Sequence, residues 1–395
     1  MNFLDLVGRK DKILEVDVRN NATLLSEIVQ SASFLVVGGA GTIGQSVVKE
    51  LFKRNPKKLD VIDISENNLV ELTRDIRSSL GYIQGEFRTL ALDVDSVEFD
   101  CFWNDNGNYD YILNLSALKH VRSEKDPYTL SRMVRVNILN SVKLAEFASS
   151  ALTSNYFCVS TDKAANPVNM MGASKRLMEQ FIIGGGFDFD YSLARFANVA
   201  FSDGSLPYGF LQRIIKNQPI SAPHDVKRYF VTPQEAGELC LMSALLGKNN
   251  EIFFPRNATE LKLTSFKDVA INYLSSLDLT PIECETEYEA RDICQNGVPE
   301  KHWPCHFFES DTTGEKPFEE FFRSTDVIDN SRFNELGIIT SENNGLTHAQ
   351  YEEFVSKLYL NGSSISGKDQ MVALFKQYLP EFEHAETGKF LDQRM

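Results

Sequence analysis

Long apolar runs are missing from the sequence. No stretch approaches the ~20 consecutive apolar residues that a membrane-spanning helix needs, and the N-terminus lacks the basic and then apolar pattern of a secretory signal. These absences predict a cytoplasmic protein with no membrane span. Cysteines are scarce and have no paired spacing, which is typical of reduced thiols rather than of a disulfide framework. They stand at positions 101, 158, 240, 284, 294 and 305.

Basic residues are fewer than acidic ones. The chain of 395 residues has 40 Lys and Arg against 55 Asp and Glu, a formal net charge of -15. This balance argues against nucleic acid as a partner, and an anionic ligand must be attracted by a local basic group rather than by the global field. His302, Cys305 and His306 lie close together in the sequence. Because no second ligand pair accompanies them, we expect packing or surface roles and no bound metal.

What the sequence does contain is a regular alternation of strand and helix patterns. Its 43% hydrophobic content can bury a sizeable core. Short apolar runs rich in β-branched residues alternate with stretches of helical periodicity, and this pattern predicts an α/β fold with a Rossmann-type, doubly wound parallel sheet. The predicted strands are 33–37, 59–63, 87–92, one strand within 109–121, 155–159 and 191–198.

A glycine-rich turn follows the first predicted strand and precedes a predicted helix over 45–53. Glycines at such a turn let the backbone approach a pyrophosphate, and the amides at the start of the helix point at it. Because a strand precedes the glycines and a helix follows them, the turn predicts a dinucleotide site. The residues expected to line this site are Gly38, Gly41, Thr42, Ile43 and Gly44.

Acidic residues end the second and third predicted strands. Asp63 stands about 20 residues past the glycines, where a carboxylate accepts hydrogen bonds from the adenosine ribose and repels a 2′-phosphate. It therefore favours NAD over NADP, although Asp63 is also a candidate N-cap for the next helix. Asp93 and Val94 end the third strand, where this fold usually contacts adenine. A simple turn role for Asp93 is equally open.

The fourth strand ends in small and polar residues. Ligands of doubly wound sheets lie beyond the carboxyl ends of the strands, so Ser116 and Ala117 are expected on the nicotinamide side of the cofactor. Lys175, on the central helix, is expected to bind the nicotinamide ribose.

The fifth strand leads into Thr161, Asp162 and Lys163. A short-chain dehydrogenase has Ser or Thr here and then Tyr-x-x-x-Lys, but Met171 occupies the Tyr position, four residues before Lys175. A thioether carries no proton, so Met171 cannot be an acid or base. The neighbouring carboxylate and ammonium suit elimination of water from an oxidised sugar. A solvated pair at a strand end is the alternative.

Residues 160–176 resemble the polysaccharide-biosynthesis branch of the extended short-chain dehydrogenases. Within that branch they look most like the UDP-N-acetylglucosamine 4,6-dehydratases, whose membrane-anchored members also have Met in the Tyr position. Supporting matches extend the resemblance over about 33–235. It implies a tightly held NAD(P), a UDP-N-acetylhexosamine substrate and a homo-oligomer. The residues that it marks for substrate contact are Lys119, His120, Asn137, Asn198, Ser205 and Arg228.

The resemblance implies a nucleotide-binding Rossmann domain and a C-terminal sugar-nucleotide domain, and the chain departs from the family at both ends. Residues 1–32 are expected to form a helical extension, 33–200 the NAD-binding Rossmann domain, and 201–395 a smaller sugar-nucleotide domain with C-terminal helices. Some segments of this last region are expected to return to the Rossmann domain. The stretch 310–316 could reach the sugar or another subunit, or it could be a turn before a helix that begins near Pro317.

The expected reaction begins with loss of a hydride from C4 of the hexose to NAD, while Thr161 binds O4. Lys163, kept neutral in a partly desolvated site near Lys175, then removes the C5 proton, and a protonated Asp162 donates to the departing C6 hydroxyl. The hydride returns to C6. The acceptor of the O4 proton stays open between Thr161 with a water and Lys163. The alternative functions are a nucleotide-sugar 4-epimerase and a non-catalytic sugar-nucleotide-binding regulator.

Overall fold

The computed structural model describes residues 2–151, 153–256, 263–311, 316, 318–340, 345–359, 367–386 and 388. The helices are α1 (Phe3–Leu6), α2 (Glu15–Asn20), α3 (Ala22–Ser31), α4 (Thr42–Phe52), α5 (Glu66–Ser79), α6 (Val97–Asn106), α7 (Pro127–Val134), α8 (Asn140–Ser150), α9 (Met170–Gly184), α10 (Leu206–Ile215), α11 (Pro233–Leu246), α12 (Phe266–Ser275), α13 (Glu287–Asn296), α14 (His348–Leu358) and α15 (Lys368–Tyr378). The strands are β1 (Ser33–Val37), β2 (Lys58–Asp63), β3 (Glu86–Ala91), β4 (Tyr111–Asn114), β5 (Asn155–Thr161), β6 (Asp190–Phe196), β7 (Asn198–Val199), β8 (Ile220–Pro223), β9 (Lys227–Arg228), β10 (Phe230–Val231), β11 (Glu251–Pro255), β12 (Thr264–Ser265), β13 (Thr280–Glu283), β14 (His302–Phe308), β15 (Val327–Asp329) and β16 (Leu336–Thr340). Over these ranges, every helix is too short or too polar to cross a membrane.

One large sheet carries the predicted fold. Its strand order is β15-β16-β11-β6-β5-β4-β1-β2-β3, and the strands from β3 to β11 are parallel. The segment β3-β2-β1-β4-β5-β6 is the doubly wound order, which reverses between β1 and β4 and leaves a crevice at their carboxyl ends. The α/β, Rossmann-type prediction is confirmed.

The region after residue 200 divides between two layers. Strand β11 joins the large sheet beside β6, and β16 and β15 extend it in antiparallel fashion. Helices α14 and α15 pack against α9, where the ring of Phe181 contacts those of Phe354 and Tyr378. Helix α11 packs against α4 and the large sheet. Most of the remaining elements form a second lobe around the parallel sheet β13-β14-β8, with its own apolar core.

The N-terminal extension ties these parts together. Leu6 and Val7 are buried in the core of the second lobe, and Arg9 forms a buried ion pair of 2.5 Å with Glu235 of α11. The carboxylate of Asp17 is buried, and it accepts hydrogen bonds from the backbone N–H groups of residues 334–336. These contacts fix the start of β16, so the extension has a structural role in holding the second lobe against the large sheet.

Candidate active site

The glycine-rich turn is built by close backbone packing. Gly38 has a φ of +74°, and a Cβ there would lie 2.6 Å from the backbone nitrogen of Ser116. A Cβ on Gly44 would collide with the carbonyl oxygen of Gly38. Gly38 therefore lets the turn approach the loop after β4, and Gly44 lets α4 pack closely against the turn. Gly41, the N-cap of α4, is exposed, and α4 begins at Thr42, so the first amides of the helix face the crevice. This geometry fits a dinucleotide pyrophosphate.

Asp63 lies at the carboxyl end of β2, next to the glycine turn. Its carboxylate accepts hydrogen bonds from the N–H of Ala40 at 3.0 Å and of Ser65 at 2.9 Å. The alternative that Asp63 caps the next helix is wrong, because the side chain of Ser65 is the N-cap of α5. Each carboxylate oxygen has further lone pairs, so the position fits a ribose acceptor.

Asp93 and Val94 lie beyond β3. Burial alone would raise the pKa of Asp93, but the N–H of Asp95 and the guanidinium of Arg132 hydrogen-bond its carboxylate and leave that pKa below its ordinary value. Val94 is buried, and its carbonyl accepts from Lys143 Nζ at 2.8 Å. These contacts account for both residues structurally, and adenine contact stays a prediction.

The side chain of Asn137 fixes the position of the loop after β4. Asn137 is fully buried, with its amide bonded to both backbone groups of Leu118 and to Ser174 Oγ. The expectation that Asn137 contacts substrate is therefore corrected: its amide positions the loop that contains half-buried Ser116 and Ala117. It lies in a π-helical turn over Arg135–Leu139, a distortion that often accompanies functional sites.

The tip of this loop meets the segment before α10. Lys119 Nζ donates to the carbonyl of Asp203 at 2.7 Å, and the N–H of Asp203 donates to Thr42 Oγ1 at 2.9 Å. Desolvation lowers the pKa of Lys119 while Asp203 opposes that shift, and desolvation followed by the charge of Lys119 lowers the pKa of His120. The structure thus brings a cation from the predicted substrate set next to the cofactor turn.

Two further residues of the predicted substrate set, Asn198 and Ser205, lie between β6 and α10. Ser205 is the N-cap of α10, where its Oγ accepts from the N–H of Tyr208. Asn198 is half-buried at the start of β7, paired with β10. Neither position contradicts the expectation, and substrate contact stays a prediction for both.

A buried network fixes the end of β5. Ser160 Oγ donates a hydrogen bond to Glu179 Oε1 at 2.6 Å. Arg195 donates two more to the Glu179 carboxylate, from Nε at 2.9 Å and from Nη2 at 2.7 Å. Although burial raises the pKa of Glu179, Arg195 outweighs it and brings the value to about 2. Because successive side chains of a strand point to opposite faces, anchoring Ser160 leaves Thr161 on the other face.

The predicted acid and base meet at that strand end. Asp162 is 4% exposed, and its Oδ1 accepts from Thr161 Oγ1 at 2.8 Å and from Lys163 N–H at 2.9 Å. Lys163 Nζ lies 3.2 Å from the same oxygen. The alternative of a solvated pair is wrong for the carboxylate, which is buried. Thr161, Asp162 and Lys163 therefore form one hydrogen-bonded group.

Met171 and Lys175 lie on α9 beneath this group. Met171 is 4% exposed and belongs to the apolar core. Lys175 is buried and its Nζ donates to the carbonyl of Val159 at 3.0 Å. Burial lowers the pKa of Lys175, opposed by Cys158 and Glu179. Contact with the nicotinamide ribose stays a prediction for Lys175.

The sequence analysis missed Glu319. This residue is 4% exposed, and its Oε1 lies 3.8 Å from Lys163 Nζ. The Lys163 ammonium thus lies within ion-pair distance of two carboxylates, Asp162 and Glu319. The only sequence signal was the distinctive acidic and aromatic stretch around 307–322, and its link to Lys163 depends on tertiary structure.

Arg228 requires a second correction. It is buried, and its Nη1 donates to the carbonyls of Lys227 at 2.8 Å and Lys316 at 2.9 Å. The guanidinium therefore supports the segment that carries Glu319 and does not stand open for the substrate contact that the resemblance implied. The stretch 310–316 is described only in part, since 312–315 lie outside the described residues, as does Pro317. Residues 318–326 are irregular, so the helix predicted from about 317 is not formed there.

The strand order, the glycine turn after β1 and the lysine of α9 beneath β5 define an extended short-chain dehydrogenase/reductase. Residues 34–340 match the family described as "Polysaccharide biosynthesis protein". The chain belongs to this family, as the resemblance predicted.

Related sequences have several names. The chain is 34% identical over 241 residues to an uncharacterized membrane protein of Methanocaldococcus jannaschii, covering 58% of this chain and 68% of that protein. It is 30% identical over 254 residues to the capsular polysaccharide biosynthesis protein CapD of Staphylococcus aureus, covering 63% of this chain but only 41% of CapD. It is 24% identical over 244 residues to the UDP-N-acetylglucosamine 4,6-dehydratase (inverting) of Campylobacter jejuni, covering 59% and 69%.

Solved structures share the fold at low identity. Pen from Bacillus thuringiensis has a TM-score of 0.63 at 20% identity, covering 89% of this chain and 98% of its own. The UDP-N-acetylglucosamine 4-epimerase of Methanobrevibacter ruminantium, solved with UDP-N-acetylmuramic acid, has a TM-score of 0.54 at 17% identity and covers 75% and 90%. WbmF of Bordetella bronchiseptica, solved with NAD+, has a TM-score of 0.51 at 17% identity and covers 64% and 81%.

Proposed function

We propose that this protein is a nucleotide-sugar 4,6-dehydratase that converts UDP-N-acetylglucosamine into a UDP-4-keto-6-deoxy-hexosamine for surface polysaccharide or glycan synthesis. The observation that carries the proposal is the contact of 3.2 Å between Asp162 and Lys163 at the end of β5, beside a buried Met171 that holds no exchangeable proton. The family and the Campylobacter jejuni dehydratase support this reading.

The pair contains the right number of protons for an elimination. A carboxylate and an ammonium together hold one transferable proton. Moving it from Lys163 Nζ to Asp162 Oδ1 produces an amine and a carboxylic acid with no change in net charge. The same contact can therefore supply a base and an acid on one face of the sugar.

Each group then has a defined role in the elimination. Once C4 is a ketone, the C5 proton is acidic, and the Lys163 amine removes it. Asp162 donates its proton to the departing C6 hydroxyl, which leaves as water. Thr161, on the same face, hydrogen-bonds O4. Lys163 finally returns a proton to C5.

Cofactor and substrate are assigned to the crevice between β1 and β4. NAD, when bound there, would supply reversible hydride chemistry with no net oxidation over the turnover. Gly41, the first amides of α4 and Asp63 would hold its pyrophosphate and adenosine ribose. Lys119, with His120, Asn198 and Ser205, is proposed to bind the UDP moiety, since Arg228 is committed to the carbonyl of Lys316.

A base variant with a matched control tests the proposal. Lys163→Ala should reduce formation of the 6-deoxy product by roughly 10²–10⁴-fold, the usual cost of losing a positioned base. Lys227→Ala, which removes an exposed lysine of β9, should behave as wild type. Product formation by Lys163→Ala at a near-normal rate would contradict the proposal.

The observation that disfavours the 4-epimerase is Met171. An epimerase must move the O4 proton back and forth with no elimination, and the buried thioether cannot do so. A wild-type product with an intact C6 hydroxyl and an inverted C4 would nevertheless establish the epimerase.

A further inference from the structure

Glu319 is the second carboxylate of the Lys163 site. It comes from the irregular segment between β14 and β15, not from the Rossmann strands that carry the other groups. Its carboxyl is buried, yet its Oε1 is 3.8 Å from Lys163 Nζ. The ammonium of Lys163 thus lies within ion-pair distance of two acidic side chains, Asp162 and Glu319.

The surroundings of Glu319 make its carboxylate a better proton acceptor than that of an ordinary glutamate. Burial raises the pKa of Glu319 and the charge of Asp162 raises it further, while Lys163, Arg228 and Lys316 oppose these effects without cancelling them. A carboxyl with a raised pKa holds a proton more readily at neutral pH than an ordinary glutamate does.

The proposed reaction creates a need for such a group. The O4 proton leaves when C4 is oxidised, and the C5 proton leaves next, before either is returned to product or water. Lys163 can accept only one of these protons, and Asp162 must already be protonated to donate to the C6 hydroxyl. In an ordinary short-chain dehydrogenase a tyrosine accepts the O4 proton, but Met171 cannot.

We propose, building on the dehydratase function above, that Glu319 receives the O4 proton by way of Lys163 and stores it while Lys163 removes the C5 proton. Glu319 acts through Lys163 and needs no contact with the sugar, so it is a positioning residue of the proton relay. This role fits the geometry, because Lys163 Nζ lies 3.2 Å from the Asp162 carboxyl and 3.8 Å from the Glu319 carboxyl.

The proton count closes over one turnover. At the start Asp162 is protonated, Lys163 is an amine and Glu319 is a carboxylate. The O4 proton passes to Lys163 and on to Glu319, and Lys163 then takes the C5 proton. Asp162 gives its proton to the C6 hydroxyl as the C6–O bond breaks, Lys163 returns one proton to C5, and the proton stored on Glu319 moves through Lys163 to restore Asp162.

The test compares Glu319→Gln with Glu320→Gln in the full chain with NAD and UDP-N-acetylglucosamine. Glutamine keeps the shape of the side chain but cannot store a proton. Glu320 is exposed and bonded to Asn166 Nδ2, so Glu320→Gln is the matched control. We expect Glu319→Gln to lose roughly 10²-fold or more in kcat, with the KM for the sugar nearly unchanged. Glu319→Asp, which still titrates, should recover much of the loss.

Two further readouts separate proton storage from a structural role. The pH profile of kcat should lose one ionisation in Glu319→Gln but not in Glu319→Asp. Difference infrared spectra on mixing with substrate should contain a carboxylic acid C=O band in wild type and Glu320→Gln that is missing in Glu319→Gln. If Glu319→Gln matches Glu320→Gln in rate, or if glutamine and aspartate variants are equally impaired with unchanged pH profiles, the stored-proton role is overturned while the dehydratase stands. If wild type forms no 6-deoxy sugar, the proposed function itself fails.

Discussion

The side-chain amide of Asn137 hydrogen-bonds both the N–H and the carbonyl of Leu118. Its Oδ1 accepts from the N–H of Leu118 at 2.9 Å, and its Nδ2 donates to the Leu118 carbonyl at 3.0 Å. A helix that is fixed in the core therefore sets the position of the loop after β4, which lies beside the glycine turn and contains Lys119. The loop is thus built before any ligand binds.

Asn137→Ala should release this loop. Two partly buried backbone groups would lose their partner, at a cost of about 1–3 kcal/mol in the free energy of unfolding. Urea unfolding would measure that loss, and calorimetry should find weaker NAD binding. Ser174→Ala removes only the third partner of the amide, at 2.9 Å, and should cost less on both measures. Equal effects of the two substitutions would contradict the positioning role.

Met171 should tolerate replacement by another apolar side chain. Met171→Leu keeps nearly the same volume in the core, so we expect appreciable turnover to remain. Met171→Ala should lower the free energy of unfolding by about 2–5 kcal/mol through the cavity that it leaves. A drop in kcat of about a thousandfold for Met171→Leu, equivalent to ~4 kcal/mol of barrier, would mean that the thioether takes part in the reaction.

Asp63 should decide between NAD and NADP. The carboxylate lies where an adenosine ribose would bind and would repel a 2′-phosphate. Asp63→Ala should therefore weaken NAD binding and relax the preference, as measured by the Kd of each cofactor. Asp63→Asn keeps an acceptor for the backbone N–H groups and separates the loss of charge from the loss of turn structure. Tighter binding of NADP than of NAD by the unmutated protein would contradict the assignment.

The Glu179–Arg195 pair should give the protein an acid-sensitive core. The pKa of Glu179 falls from 4.5 to about 2 on folding, so its stabilising effect is fully present above 4.5 and is lost as the pH falls towards 2. Glu179→Gln should cost about 3 kcal/mol at neutral pH, because Arg195 is left without its buried carboxylate, and should flatten the dependence of stability on acid. Urea unfolding from pH 7 to pH 3 measures both. Glu353→Gln, in an exposed ion pair of α14, is the control and should change little.

The sequence predicted the elements whose signals are local. The predicted strands of the Rossmann half agree with β1 to β6 to within a few residues, because each is an apolar run bounded by turn residues. The glycine turn was found for the same reason. The antiparallel return of Leu336–Thr340 to β11 was anticipated only as an unspecified segment, since nothing in a short apolar run specifies its partner strand.

The residue roles that the sequence could not predict depend on which side chains are buried and what they contact. Asn137 and Arg228 have the chemistry of ligand-binding residues, and only the structure shows that backbone groups already occupy them. Glu319, by contrast, was not predicted as a site residue at all. It stands 156 positions after Lys163 in the chain, so only tertiary folding brings the two together, and no periodic pattern marks the irregular segment that carries it.

The most direct test of the dehydratase is the fate of an isotope. UDP-N-acetylglucosamine labelled with deuterium at C4 is converted in ordinary water, and the unlabelled substrate is converted in deuterated water, with both products analysed by NMR. The account predicts a C6 methyl group that carries the deuterium from C4, and solvent deuterium at C5. An intact C6 hydroxyl with C4 inverted, an unchanged substrate, or loss of the C4 label to solvent would contradict it.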